Sequence, residues 1–114
     1  MHPSATIGAD NRIGAGVIIA AGARVTTNVS LGRHTQLNVN AVVSHDCVVG
    51  DFVTFSPGAI VNGNVVLEDD VFLGTGSIVI PGVHIGRAAR IGAGAVVVGN
   101  VPAGVTAMGV PARW

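Results

Sequence analysis

A histidine and an aspartate stand side by side at His45 and Asp46, inside the run VVSHDCVVGD (Val42 to Asp51) of a chain otherwise rich in small and aliphatic residues. Imidazole titrates near neutrality, so a histidine beside a carboxylate is a candidate for taking a proton from an attacking nucleophile. The carboxylate favours the imidazolium that develops as the proton arrives. Cys47 comes next and is the only cysteine, so it can form no internal disulfide and supplies no metal cluster by itself. Arg87 and Arg90 carry donor forks suited to phosphate, with a solvated surface role as the competing reading. His34 and His84 have no second histidine within a few residues, so a zinc site would need three distant imidazoles to converge.

Composition bounds what such residues can serve. The chain has 114 residues, room for one domain spanning 1–114, and its six basic residues, all arginine, balance six acidic ones. No basic patch points to nucleic acid or to an anionic membrane surface. Hydrophobic residues make up 49% of the chain, yet Gly, Asn, Asp or Pro breaks every apolar run before the roughly 20 residues that a membrane-spanning helix needs. No charged and then apolar leader precedes the pattern. The expectation is a cytoplasmic protein with no membrane or nucleic-acid partner.

An internal repeat supplies the scaffold. Stepping by six from Ile7 through Val97 meets sixteen positions, all aliphatic except Phe55. Four residues after each anchor, fifteen of sixteen positions are small or Val, Asn11 being the exception and Cys47 one of the small residues. An anchor and the residue two before it share one face of a strand, because side chains alternate. Three positions after the anchor, thirteen of sixteen residues are Gly, Asn or Asp, the types that most easily adopt the left-handed backbone of a tight corner. Each hexad is therefore a short strand and a corner. Three hexads per turn predict an all-β, triangular parallel β-helix of five to six 18-residue coils, a rod of roughly 27 Å at ~4.8 Å per coil.

Positions 18 apart then lie above one another, which sorts the outward residues by side. The side leading into the His45–Asp46 corner presents Val42, Ile60, Ile78, Ile80, Val96 and Val98, an apolar stripe that reads as an interface between copies. The side leading into the Val39–Asn40 corner presents Gln36, Asn38, Thr54 and Ser56, with Phe72 and Arg90 higher up. If the apolar sides pack about a three-fold axis, the His45 corner meets a neighbour, and the polar wall is the candidate for the other side of a cleft.

The closing run IGAGAVVVGNVPAGVTAMGVPAR (Ile91 to Arg113), after uninterrupted [LIV]-G-x-x-A hexads, resembles the end of hexapeptide-repeat acyltransferases. That resemblance implies a left-handed coil and a homotrimer. The run from Leu37 to Val79 is similar to the catalytic segment of the group that includes sialic acid O-acetyltransferases and the UDP-4-amino-sugar and GDP-perosamine N-acetyltransferases. The resemblance implies acetyl-CoA as co-substrate and an amino sugar or sugar nucleotide as acceptor, with direct transfer. It makes His45 the general base and Asp46 the acid that raises its basicity. It also puts Asn38 against the acceptor sugar, and Gly63, Thr75 and Ala93 along the coenzyme, mostly through backbone. Met108 to Arg113, MGVPAR, resembles the end loop near the coenzyme.

Two departures stand out. Thr54 falls where relatives often place a second histidine that holds the thioester end, and a threonine there can still donate one hydrogen bond. The resemblance puts a nucleotide-binding βαβ domain ahead of the β-helix, but HPSATIG follows Met1 where the relatives' β-helix begins and no G-x-G-x-x-G lies between a strand and a helix, so the expectation is either a piece of such a protein or a different acceptor. Two rivals share the scaffold. One is a catalytically silent trimeric β-helix; the other is a zinc enzyme of the γ-carbonic-anhydrase type, against which His34 and His84 fall on a different corner or side from His45.

Overall fold

The computed structural model describes residues 1–114 and contains seventeen two-residue strands and no helix. A strand can be no longer, because a corner interrupts the chain every six residues. The first side of the prism stacks Thr6–Ile7, Arg24–Val25, Val42–Val43, Ile60–Val61, Ile78–Val79 and Val96–Val97. The second stacks Arg12–Ile13, Ser30–Leu31, Val48–Val49, Val66–Leu67 and His84–Ile85, and the third Ile18–Ile19, Gln36–Leu37, Thr54–Phe55, Phe72–Leu73, Arg90–Ile91 and Thr106–Ala107. All neighbours are parallel, and through Val97 each residue pairs with the one 18 positions away, as Val42 with Ile60 and Ile60 with Ile78. The triangular parallel β-helix expected from the hexads is the fold.

The second residue of each strand points inward. From Ile19 to Val97 these anchors are buried, with Phe55 fully enclosed between the coils carrying Leu37 and Leu73. From Ala23 to Val101 the small positions bury with them, Cys47 included, while Val17 near the end coil is half-buried. The first two anchors depart from the pattern, since Ile13 is 41% exposed and Ile7 only half-buried. They lie in the terminal coil, which has a neighbour on one side only. Asn11, the polar exception, suits that end. Its amide donates to the carbonyls of Gly8 and Thr26 while its Oδ1 accepts the Val29 N–H, so it satisfies backbone groups that the next coil would otherwise meet.

Corner geometry follows the residue types and then overrides them. Asp10, Asn28, Asn40, Asp46, Asn64 and Asp70 take positive φ, and so do His34, Phe52 and Ala88, the three residues at this position that are not Gly, Asn or Asp. All three lie on the corner between the second and third sides, where the His34 and Phe52 rings stack with centroids 5.3 Å apart. The stacking offsets part of the strain that a left-handed backbone imposes on a bulky residue.

The repeat fails at the C-terminal end. Asn100 is the one corner residue of this set without a positive φ, and pairing slips from 18 residues to 16, with Val101 bridging Ile85 and Thr106 opposite Arg90. The chain then turns into a loop closed by reciprocal backbone bonds between Met108 and Arg113, and Ala112 donates to the Val96 carbonyl, covering the last coil. The molecule measures 36 × 21 × 19 Å. It exceeds the expected rod length because coil spacing alone leaves out the end segments. No helix is long and apolar enough to cross a membrane.

Ala88 carries the corner strain with no ring to stack, at φ 60°. Ala88→Asn should raise stability by about 0.5–1 kcal/mol, since asparagine visits this conformation at lower cost. The urea midpoint measures it, and a lowered midpoint would show that the corner is unstrained.

Candidate functional site

The corner between the first and second sides places His45 and Asp46 in solvent at its two successive positions, with Asp46 in the left-handed conformation at φ 59°. That backbone turns the carboxylate toward the ring, and His45 Nδ1 lies 2.9 Å from Asp46 Oδ2. Both side chains remain about half exposed. An amide donor from Asn28 and the hydrogen bond to His45 hold the Asp46 carboxyl below its ordinary range, so it is ionised at neutral pH. When Nδ1 carries the proton and donates to this carboxylate, Nε2 holds the free lone pair.

The ring rests against Gly63, one coil above. A Cβ added there would fall 2.5 Å from His45 Cε1 and Nε2, closer than real contacts allow. Glycine at 63 therefore lets the imidazole lie over the backbone with its Nε2 edge beside it. Cys47 faces the other way, into the core, and its Sγ donates to the Asn62 carbonyl at 3.1 Å. Burial pushes its thiol up, so it stays neutral and takes no part in the exposed chemistry.

The third side holds a second group. Thr54, Phe72 and Arg90 stack outward on successive coils, and the Arg90 guanidinium lies 4.8 Å from the Phe72 ring centroid. Beside them runs an open groove of about 290 Å³ lined by Ser56, Phe72, Gly74, Thr75, Arg90, Ile91, Gly92, Ala93 and Thr106. Thr75 and Ala93 form its rim at the corner between the third and first sides. Asn38, half-buried on the same side, donates its amide to the Phe55 carbonyl at 3.0 Å, which leaves its Oδ1 without a hydrogen bond in the chain. Of the two arginines read as phosphate candidates, only Arg90 reaches the groove; Arg87 lies on another corner, 3.7 Å from Asp70.

The structure thus brings together His45, Asp46 and Gly63, and separately brings Thr75 and Ala93 to one groove with Asn38 and Thr54 on the same side. It does not join the two groups within one chain, because the first side lies between their corners. That side is the apolar stripe: Val42, Ile60, Ile78, Ile80 and Val96 are half-buried, and Val98 is 52% exposed. The other imidazoles stand elsewhere, His34 on Phe52 and His84 against Glu68 on the second side. Asn28 and Arg12, which lie below Asp46, escaped the reading of the sequence, as did Gly74, Gly92 and Thr106 in the groove, whereas Ser56 was read on the polar wall and does line the groove. The 18-residue spacing of Asn28 and Asp46 was the available signal.

Comparison with known proteins gives a consistent set. The family of bacterial transferase hexapeptide repeats matches residues 64–99. GDP-perosamine N-acetyltransferase of Escherichia coli O157:H7 is 44% identical over 55 residues, 48% of this chain and 25% of that protein. The crystal structure of PerB from Caulobacter crescentus in complex with CoA and GDP-perosamine superposes with a TM-score of 0.98 at 41% identity, over 99% of this chain and 55% of that one. The acetyltransferase domain of PglB from Neisseria gonorrhoeae in complex with acetyl coenzyme A superposes with a TM-score of 0.97 at 37% identity, over 98% of this chain and 55% of that one. The chain spans about half the length of these solved structures and a quarter of the curated relative.

Gly63→Ala tests the packing of the histidine. The ring is the movable end of an exposed side chain, so the coil should stay intact while the imidazole swings away from its place beside Asp46. A crystal structure of the variant with the ring unmoved would contradict the contact described here.

Proposed function

We infer that this chain, which carries the bacterial transferase hexapeptide repeat and matches sugar acetyltransferases along nearly its whole length, is the acetyl-transferring β-helix of an enzyme that uses acetyl-CoA. The observation that carries the reading is the His45–Asp46 pair, with Nδ1 engaged by the carboxylate, the Nε2 edge lying over Gly63 and the side chain half exposed. The acceptor is an amino sugar, as its nucleotide conjugate or free, and the relatives' GDP-perosamine complex supports that class. Acetyl-CoA is a cytoplasmic metabolite, and the reaction belongs in that compartment.

The chemistry is direct transfer. The acceptor nitrogen attacks the thioester carbonyl, His45 Nε2 takes the proton from that nitrogen, and the tetrahedral intermediate collapses with departure of the coenzyme thiolate. The imidazolium returns its proton to the thiolate, which leaves the N-acetyl sugar, free coenzyme A and neutral His45. Asp46 stabilises the imidazolium and holds the ring. Thr54 donates to the thioester end of the coenzyme, Thr75 and Ala93 border the pantetheine path in the third-side groove, Gly63 meets acetyl-CoA through its backbone, and Asn38 holds the acceptor through Oδ1.

These roles need both groups of residues in one cleft, and a homotrimer supplies it. The apolar first side of one copy packs against the next, which carries the His45 corner of one subunit to the third side of another. A cyclic assembly repeats this contact three times and closes. Ile78→Asp should break the assembly, because a charge buried without a partner costs several kcal/mol. Sedimentation reads the outcome, and a variant that stays trimeric removes this face from the interface.

His45→Ala should keep trimer and acetyl-CoA affinity yet lower transfer by about 10²- to 10⁴-fold, the share that general base catalysis carries. Asp46→Asn should cost less, since asparagine keeps the corner conformation and a hydrogen bond but loses the charge. Steady-state rates with amino-sugar nucleotides measure both. A His45→Ala variant at the parent rate would reject the base assignment.

A further inference from the structure

We propose that Asn28, one coil below the His45–Asp46 pair, is a positioning residue: its amide clamps the Asp46 carboxylate so that the other oxygen holds His45 on Nδ1 and leaves Nε2 free. The assignment deepens the acetyl-transfer reading and rests on it. Asn28 Nδ2 donates to Asp46 Oδ1 at 2.7 Å, while Asp46 Oδ2 faces His45 Nδ1 at 2.9 Å. One carboxylate therefore spans the two side chains, one oxygen each. The amide cannot flip without loss, because Arg12 Nη2 donates to Asn28 Oδ1 at 3.3 Å and Arg12 is itself held by its Nε on Ser30 Oγ at 2.8 Å. A line of donors thus runs up the corner from Arg12 through Asn28 to the carboxylate and the imidazole.

The corner itself narrows the choice at this position. Asn28 has φ 54°, a conformation open to Gly, Asn and Asp at low cost. Glycine would leave the carboxylate free to turn, and aspartate would set a like charge beside it. Asparagine alone of the three donates a hydrogen bond to Asp46. The other ionisable groups around this corner are Asp10, at the same corner position in the coil below Asn28, and the Cys47 thiol on the inner side; neither hydrogen-bonds to the Asp46 carboxylate.

The same tolerance makes the test clean, since Asn28→Gly and Asn28→Asp both keep the backbone. Nitrogen-15 NMR of the labelled full chain, at a pH where the imidazole is neutral, reads which His45 nitrogen carries the proton without acceptor or acetyl-CoA. The parent should hold the proton mainly on Nδ1. Both variants should shift it toward Nε2, the form that a free histidine side chain prefers, and transfer should fall by up to about 10²-fold, as misplaced reacting groups do, with KM for acetyl-CoA unchanged. An unchanged tautomer in both variants, or a parent already protonated on Nε2, overturns the role of Asn28 and leaves the His45 base standing. A shifted tautomer with transfer at the parent rate overturns it too. Full activity of His45→Ala instead rejects the base reading underneath.

Discussion

Every feature of this molecule depends on one constraint: what lies 18 residues apart must stack. Up to Val97 backbone pairing between successive coils keeps that period, so columns of side chains run up the prism one above another. Inside, the columns are aliphatic and small, and the core is a stack of near-identical layers. Outside, the same rule builds ladders: Arg12 on Ser30, Asn28 on Asp46, Arg33 on Asp51 and the Asp51 backbone on Asp69. The histidine over Gly63 and the arginine over Phe72 are two more rungs.

The exposed rungs contribute little to stability, since surface pairs in high dielectric are worth about 0–1 kcal/mol each. Their value is orientation. Asp46 is fastened at both oxygens on a corner whose backbone is already determined by its coil, so a solvent-exposed pair is still held in one geometry. A rigid coil gives an exposed histidine the fixed orientation that a buried pocket gives elsewhere, at the edge of the protein where a second chain can approach.

Much of this was legible in the sequence because the repeat converts number into position. The anchors, the small slots, the positive-φ corners and the burial of Cys47 all follow from counting by six. Where counting fails, legibility ends. His34, Phe52 and Ala88 break the residue rule at their corner but keep its geometry, since the neighbouring coils leave the chain no other route. The slip from 18 to 16 residues after Val97 comes from backbone pairing that no residue type announces. Ile13 has the type of a core anchor and is exposed because it lies in the end coil. Asn38 could be named from its resemblance to relatives, but the turn of its amide onto the Phe55 carbonyl is a rotamer, invisible in sequence. The two groups of residues lie on different corners, and the apolar stripe between them is the compositional feature on which their proposed meeting across copies rests.

The central claim is that one active site takes its base from one copy and its coenzyme groove from the next. Co-expression of two inactive variants tests this most directly: His45→Ala, which keeps the groove, and Ala93→Trp, which blocks it but keeps the base. In randomly mixed trimers roughly one interface in four joins an intact corner to an intact groove, so about a quarter of the parent activity should return. Two inactive proteins that stay inactive when assembled together would place the base and the groove in the same subunit's site, and the account would be wrong.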